Sequence, residues 1–160
     1  MSHDQQPNYV LRRAHESDMD ILFRWRNDED VRRNSFQSSV IKYEEHVLWY
    51  QKAMTREDMA IFIMMECDIP VGQVRIAFWY DEMVISYNIA KEHRGKHLGK
   101  QMLSMLEEML KDDPECRKDG EYCVAYVKKE NLVSCHVFDS LGYTREEQKK
   151  WIKYTKKLNA

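Results

Sequence analysis

Glycine and proline are scarce in this chain, 5 and 3 among 160 residues, so it carries no linker and no low-complexity tract. Cysteine is sparse as well. Cys67, Cys116, Cys123 and Cys135 include no C-x-x-C pair, and scattered thiols without an export signal read as reduced residues of a cytoplasmic protein. The six histidines form no zinc-like cluster with them; His93 and His97 have helical spacing but straddle Gly95, so no metal is expected. An excess of one charge is also missing: 25 Lys plus Arg against 27 Asp plus Glu leave a formal net charge of -2. That balance excludes a nucleic-acid binder driven by bulk charge, though not a local basic pocket for one phosphorylated ligand. No run approaches the ~18 apolar residues of a membrane span, and Met1 to Pro7 is polar, with no signal-peptide pattern.

What is present is a foldable chain, 43% hydrophobic and 11% aromatic, of a length expected to make one domain over residues 1–160. Tyr9 to Arg13 reads as a short strand. Ser17 with Asp20 marks a helix start, behind which Ile21, Leu22 and Trp25 share a face. Residues 27–39 are polar, fitting short helical turns or loop. Residues 43–54 follow as a helix whose apolar stripe is Tyr43, Val47, Tyr50 and Met54. The period then changes. Residues 59–66 are a near-continuous apolar strand, Asp68-Ile69-Pro70 a turn, and 71–78 and 83–90 alternating strands. In the last of these, Val84, Ser86, Asn88 and Ala90 oppose Met83, Ile85, Tyr87 and Ile89, and a strand face that is largely polar often lines a site. A helix over 98–111, a polar loop over 111–121, a strand over 122–127 and a helix from Asn131 to Leu141 closed by Gly142 come next. The tail adds one or two strands. The fold class is α/β in the α+β sense, on a mixed, mostly antiparallel sheet of about six to seven strands flanked by about four helices.

The chemistry concentrates between Ile85 and Lys100. A strand ends, Arg94, Gly95, Lys96 and Gly99 form a basic loop, and a helix opens at once. Unpartnered N–H groups at a helix start attract anions, and glycine lets phosphate oxygens approach the backbone. A solvated basic turn in front of an ordinary helix has the same composition. There is no G-x-x-x-x-G-K-[ST] and no G-x-G-x-x-G after the first strand, so a P-loop enzyme, a kinase or a dinucleotide dehydrogenase is not expected.

The run Arg94-Gly95-Lys96-His97-Leu98-Gly99 resembles the [RQ]-x-x-G-x-[GA] acyl-CoA pyrophosphate loop of the GCN5-related N-acetyltransferases. Downstream, Asn131, Ser134, Phe138 and Leu141-Gly142-Tyr143 resemble that family's N-x-x-S-x-x-x-Y-x-x-x-G-[FY] helix. The resemblance implies an acetyl-CoA-dependent enzyme working by direct transfer in a ternary complex, as a monomer or homodimer. Tyr87, Ile89 and Ala90 would line the pantetheine. Arg94, Gly95, Lys96, His97, Leu98, Gly99 and Lys100 would hold the pyrophosphate, with Asn131, Ser134 and Phe138 on the other wall. Two positions depart from the pattern: His97 stands where glycine is usual, and Phe138 where a tyrosine often protonates the departing thiolate. Ser134 and Tyr143 are the substitutes for that acid. Glu82, His46 and Glu45 are the candidate bases for the acceptor amine, or else an exposed strand-end carboxylate and the wet face of a helix.

The N-terminal segment, with Arg26, Arg32, Phe36, Glu45, His46 and Trp49, together with Arg75, is similar to the UDP-4-amino-sugar acetyltransferases of nonulosonic acid biosynthesis. That implies a nucleotide-linked amino sugar as acceptor, with arginines meeting its diphosphate and aromatics stacking on base or sugar; the same residues also fit Trp25 and Trp49 as core anchors and the arginines as partners of Asp28, Glu29 and Asp30. Acetyltransferases of protein N-termini or polyamines, or a degenerate acyl-CoA-binding domain without turnover, are the alternatives.

Overall fold

The computed structural model describes residues 8–159; Met1 to Pro7, read above as a polar start, lie outside them. Seven strands form one sheet: β1 (Tyr9–Arg13), β2 (Met59–Glu66), β3 (Ile69–Trp79), β4 (Glu82–Ile89), β5 (Tyr122–Lys128), β6 (Thr144–Glu147) and β7 (Trp151–Lys157). Their order across the sheet is β1-β2-β3-β4-β5-β7-β6. Every neighbouring pair is antiparallel except β4 and β5.

The helices are α1 (Met19–Arg26), α2 (Glu29–Arg33), α3 (Tyr43–Thr55), α4 (Leu98–Asp112), α5 (Pro114–Arg117) and α6 (Leu132–Ser140). They cover the two sheet faces separately. Alternation along the strands sends Val74, Ile76, Met83 and Ile85 to one side, where Met102, Leu103 and Leu106 of α4 and Phe138 of α6 complete the larger core. Ile61 and Ile63 of β2 point to the other side and meet Leu22 and Trp25 of α1 and Tyr50 and Ala53 of α3.

Four sequence expectations shift locally. Ser17 does not start α1: Asp18 does the anchoring, accepting from the His15 backbone N–H at 2.7 Å and pairing with Arg12. α3 is turned so that His46, Tyr50 and Ala53 face inward, leaving Tyr43 42% exposed, because the covering surface of α1 and β2 selects the stripe. The polar run after α4 contains α5, a single turn whose cap, Asp113, accepts from the N–H groups of Glu115 and Cys116; it is too short to show a period. The turn before β3 is centred on Cys67 and Asp68, with Cys67 at φ 53°, so that Ile69 and Pro70 already lie in the strand. A register shift at Met64/Met65 accommodates Pro70 there.

Candidate acetyl-CoA cleft and acceptor face

β4 and β5 pair only over Glu82–Val84 and Tyr122–Val124. Beyond that, β4 runs on to Ile89 and β5 to Lys128 without pairing to each other, so the sheet opens into a V. The backbone edge of β4 inside the V is left for a ligand, since β3 holds only its other edge. α4 begins at the mouth of this opening.

The start of α4 is unlike the other helix starts. α2, α5 and α6 are capped by Asp28, Asp113 and Asn131, and α1 and α3 carry acidic residues in their first turns. α4 has neither a side-chain cap nor an acid, and its first turn holds Lys100 instead. The uncapped N–H groups and positive end of a 15-residue helix therefore stand beside Lys96 and Lys100, which suits a pyrophosphate. His97 sits at φ 60°, the left-handed conformation that glycine supplies without strain. The histidine adopts it at a cost of about 1 kcal/mol, so the loop keeps its path with an exposed imidazole. Gly95 is also left-handed, at φ 82°.

Gly99 packs directly on the cleft. A Cβ there would stand 3.0 Å from the Tyr87 ring. The Tyr87 hydroxyl bonds the Ser134 hydroxyl at 2.9 Å, so Tyr87 joins β4, α4 and α6 at the base of the V. Burial pushes its pKa up, with the Ser134 bond opposing. Asn131 caps α6 by accepting from the Ser134 N–H at 3.3 Å. Phe138 is 1% exposed, stacked on Tyr154 and edge-on to Tyr87 and Tyr143; it shapes the floor and offers no polar group. The Tyr143 hydroxyl is buried in that core with no hydrogen-bond partner, away from the open cleft. Ile89 and Ala90 end the strand, the first accepting from Arg94 Nε at 3.0 Å and the second donating to Val71 at 2.8 Å. Leu98 is core.

Arg94 has a different task from the phosphate contact expected of it. Its guanidinium donates to Asp28 at 2.8 Å, to Asp30 at 3.1 Å and to the Ile89 carbonyl, which clamps the loop onto α2. Burial raises the Asp28 pKa, but Arg94 and the N–H groups of Val31 and Asp30 outweigh it and hold it below the usual range. Asp28 and Asp30, 66 and 64 residues away, carried no sequence signal for this pairing.

On the opposite face of the V, cross-strand register aligns Gln73 with Asn88, Arg75 with Ser86 and Trp79 with Glu82. Trp49 of α3 lies over this face against two guanidiniums, 4.3 Å from Arg26 and 5.4 Å from Arg75. Neither arginine has a carboxylate partner among the described residues. Burial, then the charge of Arg75, lowers the Arg26 pKa to about 10; burial also lowers that of Arg75. Asn88 Oδ1, on the same strand face, is buried with no hydrogen-bond partner.

His46 is not the solvent-facing base or acceptor contact expected of it. It is 0% exposed; Nε2 donates to the Met19 carbonyl at 2.8 Å, and Nδ1 accepts from Arg26 at 2.9 Å. Burial keeps it neutral, and with both nitrogens engaged it positions Arg26. Arg32 is a loop staple, donating to the Asn27 and Ser38 carbonyls at 3.1 and 3.4 Å. Glu45 is exposed, one helical turn before Trp49. Glu82 lies on the sheet face of Arg75, bridged to Lys153 at 3.4 Å. Phe36 stands apart from these, edge-on to Trp151 at 5.5 Å.

A profile of the acetyltransferase (GNAT) domain family matches residues 8–144, and the chain belongs to that family: it is an acetyl-CoA-dependent acetyltransferase. It is 26% identical over 132 residues to the uncharacterized N-acetyltransferase YfmK of Bacillus subtilis, covering 82% of each chain. It is also 25% identical over 150 residues to the uncharacterized protein MJ1062 of Methanocaldococcus jannaschii, spanning only 30% of that longer protein. Among solved structures, spermidine N-acetyltransferase from Vibrio cholerae, in complex with CoA and spermine, superposes with a TM-score of 0.79 at 16% identity. That match covers 94% of this chain and 95% of the other. Among the described residues, no helix is long and apolar enough to cross a membrane.

Proposed function

We propose that this enzyme acetylates a primary amine on a small anionic acceptor, a 4-amino sugar carried on a nucleoside diphosphate such as UDP. The observation that carries this reading is the Arg26–Trp49–Arg75 stack on the open face of β4, two half-buried cations with no carboxylate against them. Desolvated cations without a counter-charge are costly, so the site gains most from an anionic ligand. The same charges repel a polyamine. A further cation about 7 Å from either guanidinium costs roughly 2 kcal/mol at an effective dielectric near 20.

The reaction needs the acetyl group at the V and the amine on the Arg75 side of it. Backbone N–H groups along the free edge of β4 would hold the pantetheine and polarise the thioester carbonyl, and the start of α4 would hold the pyrophosphate. Asn88 Oδ1 offers an acceptor for an N–H of the incoming amine. Glu82, beside Lys153, takes the amine proton directly or through water. The departing thiolate has no tyrosine at 138; with a pKa near 8.5 it leaves as the thiolate, with the Ser134 hydroxyl placed to donate a hydrogen bond to it, and takes its proton from solvent. The four cysteines are free, in keeping with action of this one domain in the cytoplasm.

The test is a transfer assay with acetyl-CoA and three acceptors: a UDP-4-amino-4,6-dideoxy sugar, spermine, and a peptide with a free N-terminus. The sugar nucleotide is expected to give the highest kcat/KM. Arg75→Met is expected to lower that value at least tenfold while the acetyl-CoA dissociation constant stays within twofold. Preference for spermine overturns the reading.

A further inference from the structure

A groove of about 880 Å³ lies beyond the C-terminal end of β5, bordering the cleft at Asn131, Leu132 and Val133 at the head of α6. Arg33, Lys128, Lys129, Lys149 and Lys150 line it against one carboxylate, Glu130. Arg33 is already paired with Asp30, and Lys128 donates to the Arg33 carbonyl at 2.9 Å, bracing the wall. Lys129, Lys149 and Lys150 are exposed and have no acidic partner among the described residues. The edge-on pair of Phe36 and Trp151 forms the groove's aromatic side, with Phe36 61% exposed.

We propose that this groove binds the nucleoside-phosphate end of the acceptor, the base against Phe36 and Trp151 and the phosphates against Lys149 and Lys150. The inference rests on the reading of the acceptor as a nucleotide-linked amine. Two observations assign the groove to the acceptor and not to acetyl-CoA. The first is register. Arg75 faces Ser86, Val84 pairs with Val124, and Lys128 pairs with Trp151, so Lys128 and Trp151 share the sheet face of Arg75, opposite α4. The second is α2, which separates the two anion sites: Arg94 clamps the pyrophosphate loop to Asp28 and Asp30 at its start, while Arg33 and Asn34 at its end line the groove. From β4 to β7 is two strand spacings, about 10 Å, and more across the V. An elongated acceptor bridges that distance, with its amine at β4, its phosphates running from the Arg26 and Arg75 guanidiniums toward Lys149 and Lys150, and its base on Phe36 and Trp151. A bare amine such as spermine has nothing to place in the groove.

Titration with UDP and with acetyl-CoA, on the wild type, Lys149→Glu/Lys150→Glu and Phe36→Ala, tests the proposal. All three positions are exposed, so the fold is expected to survive, and melting temperatures check it. The charge reversals are expected to raise the UDP dissociation constant at least tenfold at low salt, and Phe36→Ala about fivefold, with the acetyl-CoA constant within twofold throughout. UDP binding by the wild type that both variants retain overturns the groove and leaves the sugar-nucleotide acceptor standing. A parallel loss of acetyl-CoA affinity overturns the proposal in favour of the cofactor. A wild type that binds acetyl-CoA but not UDP overturns both the groove and the acceptor reading.

Discussion

Replacing Gly99 by valine drives a side chain into the Tyr87 ring, and the geometry fixes how far. A Cβ at position 99 would sit 3.0 Å from Tyr87 Cε2 and 3.5 Å from its hydroxyl oxygen, whereas carbon atoms rest about 3.5–4.0 Å apart. Alanine therefore asks the ring to give by about half an ångström. Its gain in helix propensity, about 1 kcal/mol over glycine, offsets much of an overpacking cost of about 1–3 kcal/mol, so Gly99→Ala should change stability little. Valine adds two methyl groups to the same contact and is a poorer helix former, so both effects run against it. The ring can yield only by moving off position 99, which strains the 2.9 Å bond to Ser134 and displaces a side chain at the base of the V. Calorimetric titration with acetyl-CoA should show the dissociation constant of Gly99→Val raised at least tenfold, about 1.4 kcal/mol. Tyr87→Ala in the same chain should recover most of that loss, because the obstacle is gone. An unchanged constant in folded Gly99→Val, or strictly additive effects in the double variant, would refute the steric account of this glycine.

Asn131→Ala removes the cap of α6 and should cost about 1 kcal/mol. For a chain this size that is a fall of roughly 2–4 °C in melting temperature, whereas an unshifted transition would mean the cap is dispensable. His46, held neutral by burial, predicts a pH signature. Its folded pKa lies below the ordinary value near 6.5, so the unfolded chain takes the proton first as pH falls. Its contribution is complete above about pH 6.5 and is lost on acidification. Denaturant unfolding at pH 7.5 and 5.5 should show the wild type losing stability relative to His46→Gln, which does not titrate; a constant difference would contradict the buried neutral imidazole.

Local signals were legible wherever the chain makes its own case. β1, β2 and the start of α4 fall at the residues that pattern and spacing mark, and the polar strip of β4 does line an open face, because alternation along a strand needs only the sequence. α3 shows where this stops. Its apolar residues at 43, 47, 50 and 54 define a stripe, yet His46 is the residue at 0% exposure and Tyr43 the one left out. Packing against α1 and β2 chose among stripes of similar hydrophobicity, and Arg26 supplied the partner that let a histidine be buried. Arg94 and Arg75 looked alike in sequence. One is neutralised by carboxylates from α2, and the other faces an indole with no counter-charge.

The sequence by itself determined the composition class, the succession of helices and strands, and the basic glycine loop before α4 with the asparagine-headed helix behind it. Each of these depends on neighbours within a few residues, where spacing and capping chemistry are read directly. Only the tertiary structure decided that β4 and β5 part after Val84 and Val124, that Tyr87 braces α4 and α6, and which charged side chains are spent on ion pairs. The parting of two strands and the pairing of a guanidinium with an acid more than sixty residues away are long-range events. Their energies depend on what the fold brings near, and no local pattern carries that information.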